Sequence, residues 1–434
     1  MRLRPTHSVH RQRDVSCQTD FVYRNSIAEG NDPIMPPFCD ISRRRFTQQS
    51  LLAGAIGTGL ASRVLGQRPS DGTAPRAVIH ETQVITDSPD IYCGWPTLTR
   101  RKNGQLLVVW SGGREQHVCP FGRVDMMRSD DDGKTWTWPR TLIDGAIDDR
   151  DAGVLETEKG TLLVTTFTSL AYEDYELKKA LANRGGANAW PSEKLERWLR
   201  VHRRLDNDAR RQELGQWMIR STDGGVTWSP RYSSIVNSPH GPIQLADGRL
   251  LYAGVELWSE SRDVGVCQSL DDGQSWQWLA KIPTREGDDL KNYHELHAVE
   301  ADDGRLIVHI RNHNTKNKSE TLQTESTDGG KTWSFPKSIG VWGLPSFLLK
   351  LRDGRLLMSY GYRRKPYGNQ ARLSMDHGLS WSPPMTISQD GIGHDLGYPS
   401  TVELEDGKLL SIWYERMANS PKAVLRQARW SIES

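Results

Sequence analysis

The feature that most constrains the fold of this 434-residue chain is a motif, S-x-D-x-G-x-[TS]-W, that occurs five times. The copies are SDDDGKTW (129–136), STDGGVTW (221–228), SLDDGQSW (269–276), STDGGKTW (326–333) and SMDHGLSW (374–381). Ser and Asp suit the backbone groups of a tight turn, Gly suits a positive φ, and Trp suits a wedge between packed units. We therefore interpret the motif as structural and expect the chemistry elsewhere.

A second motif alternates with the first and consists of a turn glycine followed by a run of apolar residues. This pattern predicts a hairpin that leads into a strand. Five of its six copies are followed by the tryptophan motif, and the sixth ends in a strand, AVLRQARWSI (423–432). Six units of about fifty residues that must stack to bury their faces predict an all-β, six-bladed β-propeller. The six turn glycines are Gly104, Gly160, Gly248, Gly304, Gly354 and Gly407.

One repeat is longer than the others. The glycines of the second and third units are 88 residues apart (248 − 160), whereas the other intervals lie between 50 and 56. The extra segment, 171–217, contains charged residues and apolar residues at helical spacing, which predicts a helical insertion in blade two. Two interpretations stay open at this point, a lid over the mouth of the propeller and a flap packed on its surface.

The N-terminal part of the chain indicates export. The segment 41–67 places S-R-R-R-F (42–46) before a mildly apolar run, the pattern of a twin-arginine signal peptide. That run is too short to cross a bilayer as a helix, so we expect no stable membrane span in the mature protein. A basic disordered tail is the alternative. We expect residues 1–40 to be a disordered extension or a start codon assigned too early, the propeller to occupy 77–434, and the mature protein to be periplasmic or secreted.

Composition excludes several other functions. The net charge is +2 and no stretch concentrates Lys and Arg among aromatic residues, so a nucleic-acid partner is not expected. The five cysteines match no metal-binding spacing, and Cys93 and Cys119 are either a disulfide pair or free thiols. The glycine-rich GAIGTG (54–59) follows no predicted strand, so neither a dinucleotide nor any other cofactor is expected.

The propeller interpretation predicts where the chemistry lies. The inner strand of each blade begins at one mouth of the central channel, and counting back from each turn glycine finds equivalent positions there. Titratable groups that converge in a concave mouth are the default prediction for an active site. The six positions are Trp95, Asp151, Pro239, Glu295, Pro345 and Tyr398, and their titratable neighbours are Arg150, His240 and His294.

Tyr398 and Glu295 are the strongest candidates among these positions. A carboxylate flanked by His294 and His297 at the start of an inner strand needs polar partners. A glutamate beside a phenol can accept the phenolic proton and so activate a weak nucleophile. Alternatively, Tyr398 is an aromatic plug in the channel.

These motifs resemble the sialidase superfamily of Asp-box (BNR-repeat) propellers over residues 80–434. In that family a tyrosine nucleophile is activated by a glutamate. The resemblance implies that Tyr398 is the nucleophile, that Glu295 is its base, and that Arg311 is one of three arginines that grip the substrate carboxylate.

The chain departs from the family pattern at the other two arginines. Gly94 stands where the first arginine is expected, and Gln370 stands where the third is expected, with Arg372 nearby. Glycine and glutamine cannot supply the bidentate contacts of a guanidinium. Other arginines are then candidates for approaching the substrate, namely Arg114, Arg150 and Arg363.

The family's acid/base aspartate has no clear counterpart in blade one. The nearby protonatable candidates are Glu115, His117 and Asp125, and Asp151 of blade two is a further candidate proton donor. Histidines suit this task because they titrate near neutral pH. The histidines expected near the mouth are His117, His240, His294 and His394, and each one alone is also compatible with a hydrogen-bonded structural role.

The sequence thus predicts an exported exo-glycosidase of the sialidase type that acts on a glycan ending in sialic acid or another anionic sugar. One alternative is a lyase that cleaves a uronic-acid polysaccharide. The other is a non-catalytic glycan-binding propeller that uses Trp95 and Trp342 as stacking platforms.

Overall fold

In the computed structural model, which describes residues 74–86 and 88–433, the chain forms six antiparallel sheets of four strands each. The sheets are the blades of a β-propeller, and hydrophobic clusters join neighbouring sheets around the ring. The predicted six-bladed, all-β fold is confirmed.

The first three blades follow one another in the chain, and each runs from its innermost to its outermost strand. Blade one consists of β2 (Tyr92–Arg100), β3 (Leu106–Arg114), β4 (Arg123–Ser129) and β5 (Arg140–Ile143). Blade two consists of β6 (Asp148–Glu156), β7 (Leu162–Ser169), β8 (Gln216–Ser221) and β9 (Tyr232–Ser233). Blade three consists of β10 (Ile243–Gln244), β11 (Leu250–Val255), β12 (Val264–Ser269) and β13 (Gln277–Lys281).

The last three blades repeat this order and close the ring. A 3₁₀ turn, Leu290–Asn292, leads into blade four, which consists of β14 (Tyr293–Glu300), β15 (Leu306–Asn312), β16 (Glu320–Ser326) and β17 (Lys337–Trp342). Blade five consists of β18 (Ser346–Lys350), β19 (Leu356–Tyr362), β20 (Tyr367–Ser374) and β21 (Met385–Gly391). Blade six consists of β22 (Leu396–Glu403), β23 (Leu409–Arg416), β24 (Ala423–Glu433) and β1 (Arg76–Val84).

Ring closure explains why the sixth repeat lacks the tryptophan motif. The outermost strand of blade six is β1, which pairs antiparallel with β24 from Arg76 opposite Glu433 to Val84 opposite Arg426. β24 is therefore the third strand of the last blade, and the strand outside it is β1 rather than one reached through a hairpin. Both ends of the described propeller lie in one sheet, which fixes the first blade against the last.

The core lies between the blades. Consecutive residues of β3, from Leu106 to Trp110, are all buried, because a neighbouring sheet covers each face of the blade. The clusters join adjacent blades, as where Val108 of blade one packs with Ile412 of blade six. This is why the strands read as nearly continuous apolar runs rather than as a strict alternation.

The repeated tryptophan motif has the structural role that its residue types predict. In its first copy Ser129 Oγ accepts a 2.8 Å hydrogen bond from the Gly133 N–H, and Asp131 Oδ1 accepts one of 2.9 Å from Thr135 N–H. Trp136 Nε1 donates to Gln427 Oε1 of blade six at 3.0 Å. The motif therefore fixes its own turn and ties its blade to the preceding one.

The insertion in blade two is helical, and it packs on the propeller. It contains a π-helical turn, Glu173–Leu177, followed by α1 (Lys178–Ala182), α2 (Ser192–His202) and α3 (Asn207–Gln212). Its apolar residues pack with Cys119 and Phe121 of the β3–β4 loop in blade one. Of the two interpretations left open by the sequence, the packed flap describes this arrangement.

The cysteines of the propeller are not cross-linked. Cys93, Cys119 and Cys267 are buried thiols, so Cys93 and Cys119 do not form a disulfide in this structure.

Among the described residues no helix has the length and apolar character needed to cross a membrane. The predicted extension and twin-arginine signal, 1–40 and 41–67, lie outside the described residues.

Candidate active site

Four inner strands share a backbone irregularity at the positions that the repeat identifies. Trp95, Asp151, Glu295 and Tyr398 have φ values of 54°, 49°, 36° and 54°, which are rare for residues other than glycine. The ladder between the inner strand and its neighbour shifts register at each of them. Such a bulge re-aims a side chain out of the ladder, and these side chains from four blades point to one place. Strain of this kind concentrates at functional sites.

The centre of the site is a hydrogen-bonded triangle of Tyr398, Glu295 and Arg311. The Tyr398 hydroxyl donates to Glu295 Oε1 at 2.5 Å, and Arg311 Nη1 donates to Glu295 Oε2 at 2.6 Å and to the Tyr398 oxygen at 3.0 Å. Arg311 is held from behind by His313, whose Nε2 lies 2.8 Å from the guanidinium Nε. A carboxylate that accepts the phenolic proton and an adjacent cation that favours the phenolate together activate the oxygen.

Asp151 supplies a second titratable carboxyl beside this triangle. Burial and the negative charge of Glu295 raise the pKa of Asp151 to about 7, although Arg150 and Arg114 act in the opposite direction. Two carboxyls that share a site cannot both ionise easily. At and below neutral pH, Asp151 therefore tends to hold a proton.

Two arginines lie over the face of Trp95. The guanidinium carbons of Arg114 and Arg150 are 4.9 Å and 4.6 Å from the Trp95 ring centre. Arg114 is buried and paired with Asp148, at 2.6 Å and 3.0 Å. Two cations therefore contact the indole in the wall of the site, and neither Trp95 nor Arg114 is exposed as an open stacking platform.

The structure brings Arg363, rather than Gln370, to the catalytic tyrosine candidate. Arg363 follows the end of β19, its guanidinium carbon lies 5.8 Å from the Tyr398 ring centre, and its Nε donates to the Leu396 carbonyl at 2.9 Å. Gln370 lies on β20, the third strand of blade five, where it accepts a 2.9 Å hydrogen bond from Tyr360. Arg372 also contacts Tyr360, at 3.1 Å. Third strands are remote from the axis, which is why neither residue reaches the centre.

The histidines near the site are of two kinds. His240 is buried beside Phe347 and His297, and burial lowers its pKa to about 3. His294 lies against His313, with ring centres 4.7 Å apart, and burial together with His313 lowers its pKa well below the usual value. Both are therefore neutral near pH 7. They serve as packing and hydrogen-bonding groups rather than as cations.

His117 differs because it lies at the rim with a charged partner. Its Nδ1 is 3.0 Å from Asp395 Oδ1 and 2.8 Å from the Tyr92 hydroxyl oxygen. The other blade-one candidates are engaged elsewhere, Asp125 with Arg123 and Glu115 with the insertion.

Sequence reasoning missed Asp395, Asp148 and Tyr92, although a signal for them exists. Each lies three residues before an inner-strand position already identified, at 398 − 3, 151 − 3 and 95 − 3. Extending the repeat count upstream by three residues finds all of them. These residues hold His117 and Arg114 in place.

A cavity of about 410 Å³ lies beside the site, between loops of blade one and α2 of the insertion. It is open to solvent on one side and has a mixed polar lining. Its lining includes Asp90, Arg114, Glu115, Phe121, Arg123, Arg197 and Arg204. Within residues 74–86 and 88–433, no set of three or more His, Cys, Asp and Glu side chains is arranged to bind a metal ion.

Comparison with known proteins agrees with this architecture. One curated relative, named sialidase, from Bacteroides fragilis (strain YCH46), is 25% identical over 348 residues, or 74% of this chain. The chain spans 59% of the length of that relative.

Solved structures share the fold. A protein of unknown function from Dyadobacter fermentans superimposes with a TM-score of 0.65 and 22% identity, covering 82% of this chain and 99% of that one. The intramolecular trans-sialidase from Ruminococcus gnavus superimposes with a TM-score of 0.55 and 14% identity, covering 79% and 94%. The family model described as a BNR repeat-like domain matches residues 176–410. The chain therefore belongs to the BNR repeat-like family, in the sialidase superfamily of six-bladed propellers.

Proposed function

We propose that the protein hydrolyses the glycosidic bond of a terminal acidic sugar, sialic acid or another anionic sugar. The observation that carries this proposal is the 2.5 Å hydrogen bond from Tyr398 to Glu295, with Arg311 in contact with both. The name of the Bacteroides fragilis relative, sialidase, supports the same reaction class.

In this mechanism the Tyr398 oxygen attacks the anomeric carbon while Glu295 accepts its proton. A phenol suits a substrate whose anomeric carbon bears a carboxylate, because an anionic nucleophile would be repelled by that charge. The resulting glycosyl–tyrosine is then hydrolysed by water, and Glu295 returns the proton to the departing phenolate. Asp151 and His117 are both candidates to protonate the leaving oxygen.

An acidic substrate also suits the cations around the nucleophile. Arg311 and Arg363 come from adjacent blades, and Arg311 contacts the Tyr398 oxygen while Arg363 lies near the Tyr398 ring. Arg150 and Arg114 add positive charge behind Trp95. Guanidinium groups bind carboxylates and sulfates in a directed way. The missing first arginine at Gly94 leaves the identity of the acidic sugar to experiment.

The test is to incubate the protein, and its Tyr398→Phe variant, with sialosides, uronosides and sulfated polysaccharides. We expect release of a free acidic sugar that depends on Tyr398. A product with the ultraviolet absorbance of an unsaturated sugar would instead identify a lyase. Binding of glycans without any turnover would identify a non-catalytic propeller.

We also propose that the chain acts outside the cytoplasm, on the strength of the twin-arginine pattern in 41–67. Replacing Arg43 and Arg44 by lysine is the test, with cell fractionation as the measurement. We expect the unaltered protein in the periplasm or medium and the double variant in the cytoplasm. An unchanged distribution would contradict export by this route.

A further inference from the structure

The rim of the channel carries a histidine–carboxylate pair from two different blades. His117 lies in the β3–β4 loop of blade one, and Asp395 immediately precedes β22 of blade six. We propose that His117 is the acid/base residue that protonates the leaving glycan, and that Asp395 is the residue that positions it. This inference rests on the proposed function and assigns the step that the proposal leaves between two candidates.

The contacts of Asp395 fix the orientation of the imidazole. Its Oδ1 accepts hydrogen bonds from the hydroxyl groups of Tyr92 at 2.9 Å and Tyr414 at 3.2 Å, and it lies 3.0 Å from His117 Nδ1. His117 Nδ1 also lies 2.8 Å from the Tyr92 oxygen, whose own proton goes to Asp395, so this nitrogen faces two acceptors. The arrangement favours a proton on Nδ1 and leaves Nε2 as the nitrogen that exchanges a proton with the substrate. A carboxylate behind a histidine fixes the tautomer in this way in many acid/base sites.

The charges around the pair decide its protonation. Burial lowers the pKa of His117, Asp395 opposes that effect, and Arg150 and Arg114 reinforce it. Burial disfavours ionisation of Asp395, yet hydrogen bonds from His117 and Tyr92 and the charge of Arg363 keep its pKa well below the usual range. Asp395 is thus ionised, and it is the neighbouring group that favours a protonated His117, although the pKa of His117 stays below its usual value.

Position separates His117 from the rival donor. His117 is half-buried at the rim, whereas Asp151 is buried. The His117 ring lies 5.0 Å from Trp95, whose ring is 6.3 Å from that of Tyr398. The remainder of a glycan cleaved at its terminus must extend toward solvent, where the 410 Å³ cavity begins two residues from His117, at Glu115. The half-buried position of His117 at the rim therefore suits a donor to the leaving oxygen better than the buried position of Asp151.

The helical insertion holds the loop that carries His117. The Glu115 carboxylate accepts hydrogen bonds from Arg197 and from the indole N–H of Trp198, both on α2. Lys194 of the same helix donates to the Gln116 side chain at 2.7 Å. On the propeller side, Arg114 Nη2 donates to the His117 carbonyl at 3.0 Å. The insertion is therefore a support for this rim loop, and the proposal gives it a role in positioning the proton donor.

As the Tyr398 oxygen bonds to the anomeric carbon, the bond from that carbon to the leaving oxygen breaks, and that oxygen takes the proton from His117 Nε2. Glu295 holds the proton lost by Tyr398. In the second step, the water oxygen bonds to the anomeric carbon while the bond from that carbon to the Tyr398 oxygen breaks. Neutral His117 takes a proton from this water, and Glu295 returns its proton to the tyrosine oxygen. Both groups end in their starting states.

The experiment compares two substrates that share one acidic sugar, 3′-sialyllactose and the 4-nitrophenyl sialoside. If the substrate test described above identifies a different acidic sugar, the same pair is built on that sugar. For His117→Ala we expect kcat/KM on the unactivated glycan to fall by roughly 10²- to 10⁴-fold. On the nitrophenyl glycoside we expect less than about a tenfold loss, because a good leaving group needs no protonation.

The substitution Asp395→Asn tests whether Asp395 positions His117. Loss of the negative charge lowers the pKa of His117, so the alkaline limb of the pH profile of kcat/KM on the unactivated glycan moves to lower pH. The matched control is Asp288→Asn. Like Asp395, Asp288 accepts a hydrogen bond from a tyrosine hydroxyl, that of Tyr293 at 2.7 Å, and it also pairs with Arg285. We expect the control to leave the pH profile in place.

Equal losses on the two substrates for His117→Ala, or an alkaline limb that Asp395→Asn does not move, would overturn the inference. A fully active Tyr398→Phe would overturn the proposed function instead, so the two failures are distinguishable. Near-ultraviolet circular dichroism of each variant verifies that the fold is intact.

Discussion

The Tyr398 hydroxyl donates a 2.5 Å hydrogen bond to Glu295, although 103 residues separate the two positions along the chain. Both residues start the inner strand of a blade, and both occupy a bulge with positive φ. The closed ring is what makes them neighbours, since blades four and six present the same strand position to one centre. The proposed chemistry depends on this closure rather than on any local motif.

Glu295→Gln tests the role of the base. The amide cannot accept the phenolic proton, so we expect kcat to fall by about 10²- to 10⁴-fold with a smaller change in KM. The measurement is steady-state kinetics on whichever of the sialosides, uronosides and sulfated polysaccharides proves to be a substrate. Glu325→Gln is the matched control, because Glu325 pairs with Arg305 at 2.9 Å on blade four but lies outside the site. We expect this control variant to keep its full activity.

Arg363→Ala tests the anion-binding side of the site. Removing a guanidinium that approaches Tyr398 should weaken binding of the acidic group, and we expect KM to rise by roughly tenfold, or about 1.4 kcal/mol of binding free energy. The neighbouring Arg364, which lies 3.9 Å over Trp342, is the control. Equal kinetic effects of the two substitutions would contradict a specific role for Arg363.

Asp151→Asn should change how stability depends on pH. The pKa of Asp151 is raised to about 7 by burial and by Glu295, so between the unfolded value near 4 and about 7 the folded state binds more protons than the unfolded state. This group therefore stabilises less as pH rises through that window. The measurement is the Tm of the variant minus the Tm of the unaltered protein, taken at about pH 5 and at about pH 8. We expect this difference to be about 2 °C more favourable to the variant at the higher pH. A Tm difference independent of pH would contradict the shifted pKa.

Ser129→Ala tests the structural role of the repeated motif. The buried Ser129 hydroxyl accepts from the Gly133 N–H at 2.8 Å and donates to Asp131 at 2.7 Å. Its removal should cost about 1 to 3 kcal/mol of unfolding free energy, because a buried N–H loses its acceptor. Denaturant unfolding measures this cost, and kcat/KM at a temperature where the variant is folded should be unchanged.

The sequence was most informative where the chain repeats itself. The turn glycines define the register of the inner strands, and that register alone locates Asp151, Glu295 and Tyr398 at one mouth. Each of these residues is at a bulge in the structure, a feature that no propensity indicates. The strand position was therefore predictable, and the backbone strain was not.

What the sequence could not supply is the set of contacts between loops. Arg363 and Gln370 are seven residues apart, and only the positions of β19 and β20 decide which reaches Tyr398. The pairing of His117 with Asp395 joins loops of blades one and six. The β3–β4 loop takes its shape from the insertion in blade two. Such contacts depend on tertiary packing, so a motif at fixed spacing cannot reveal them.

The central claim is that the Tyr398 oxygen bonds covalently to the sugar. A derivative of the acidic sugar with fluoride as the leaving group on the anomeric carbon and a second fluorine on the adjacent carbon forms such a bond as fluoride departs. The bond then hydrolyses slowly, because the remaining fluorine destabilises the positively charged transition state of the second step. Mass spectrometry of the digested protein then locates the added sugar. We predict one glycosyl group on the peptide that contains Tyr398, and none in Tyr398→Phe. A label on Glu295 or Asp151, or turnover of the substrate with no label on the protein, would contradict the account.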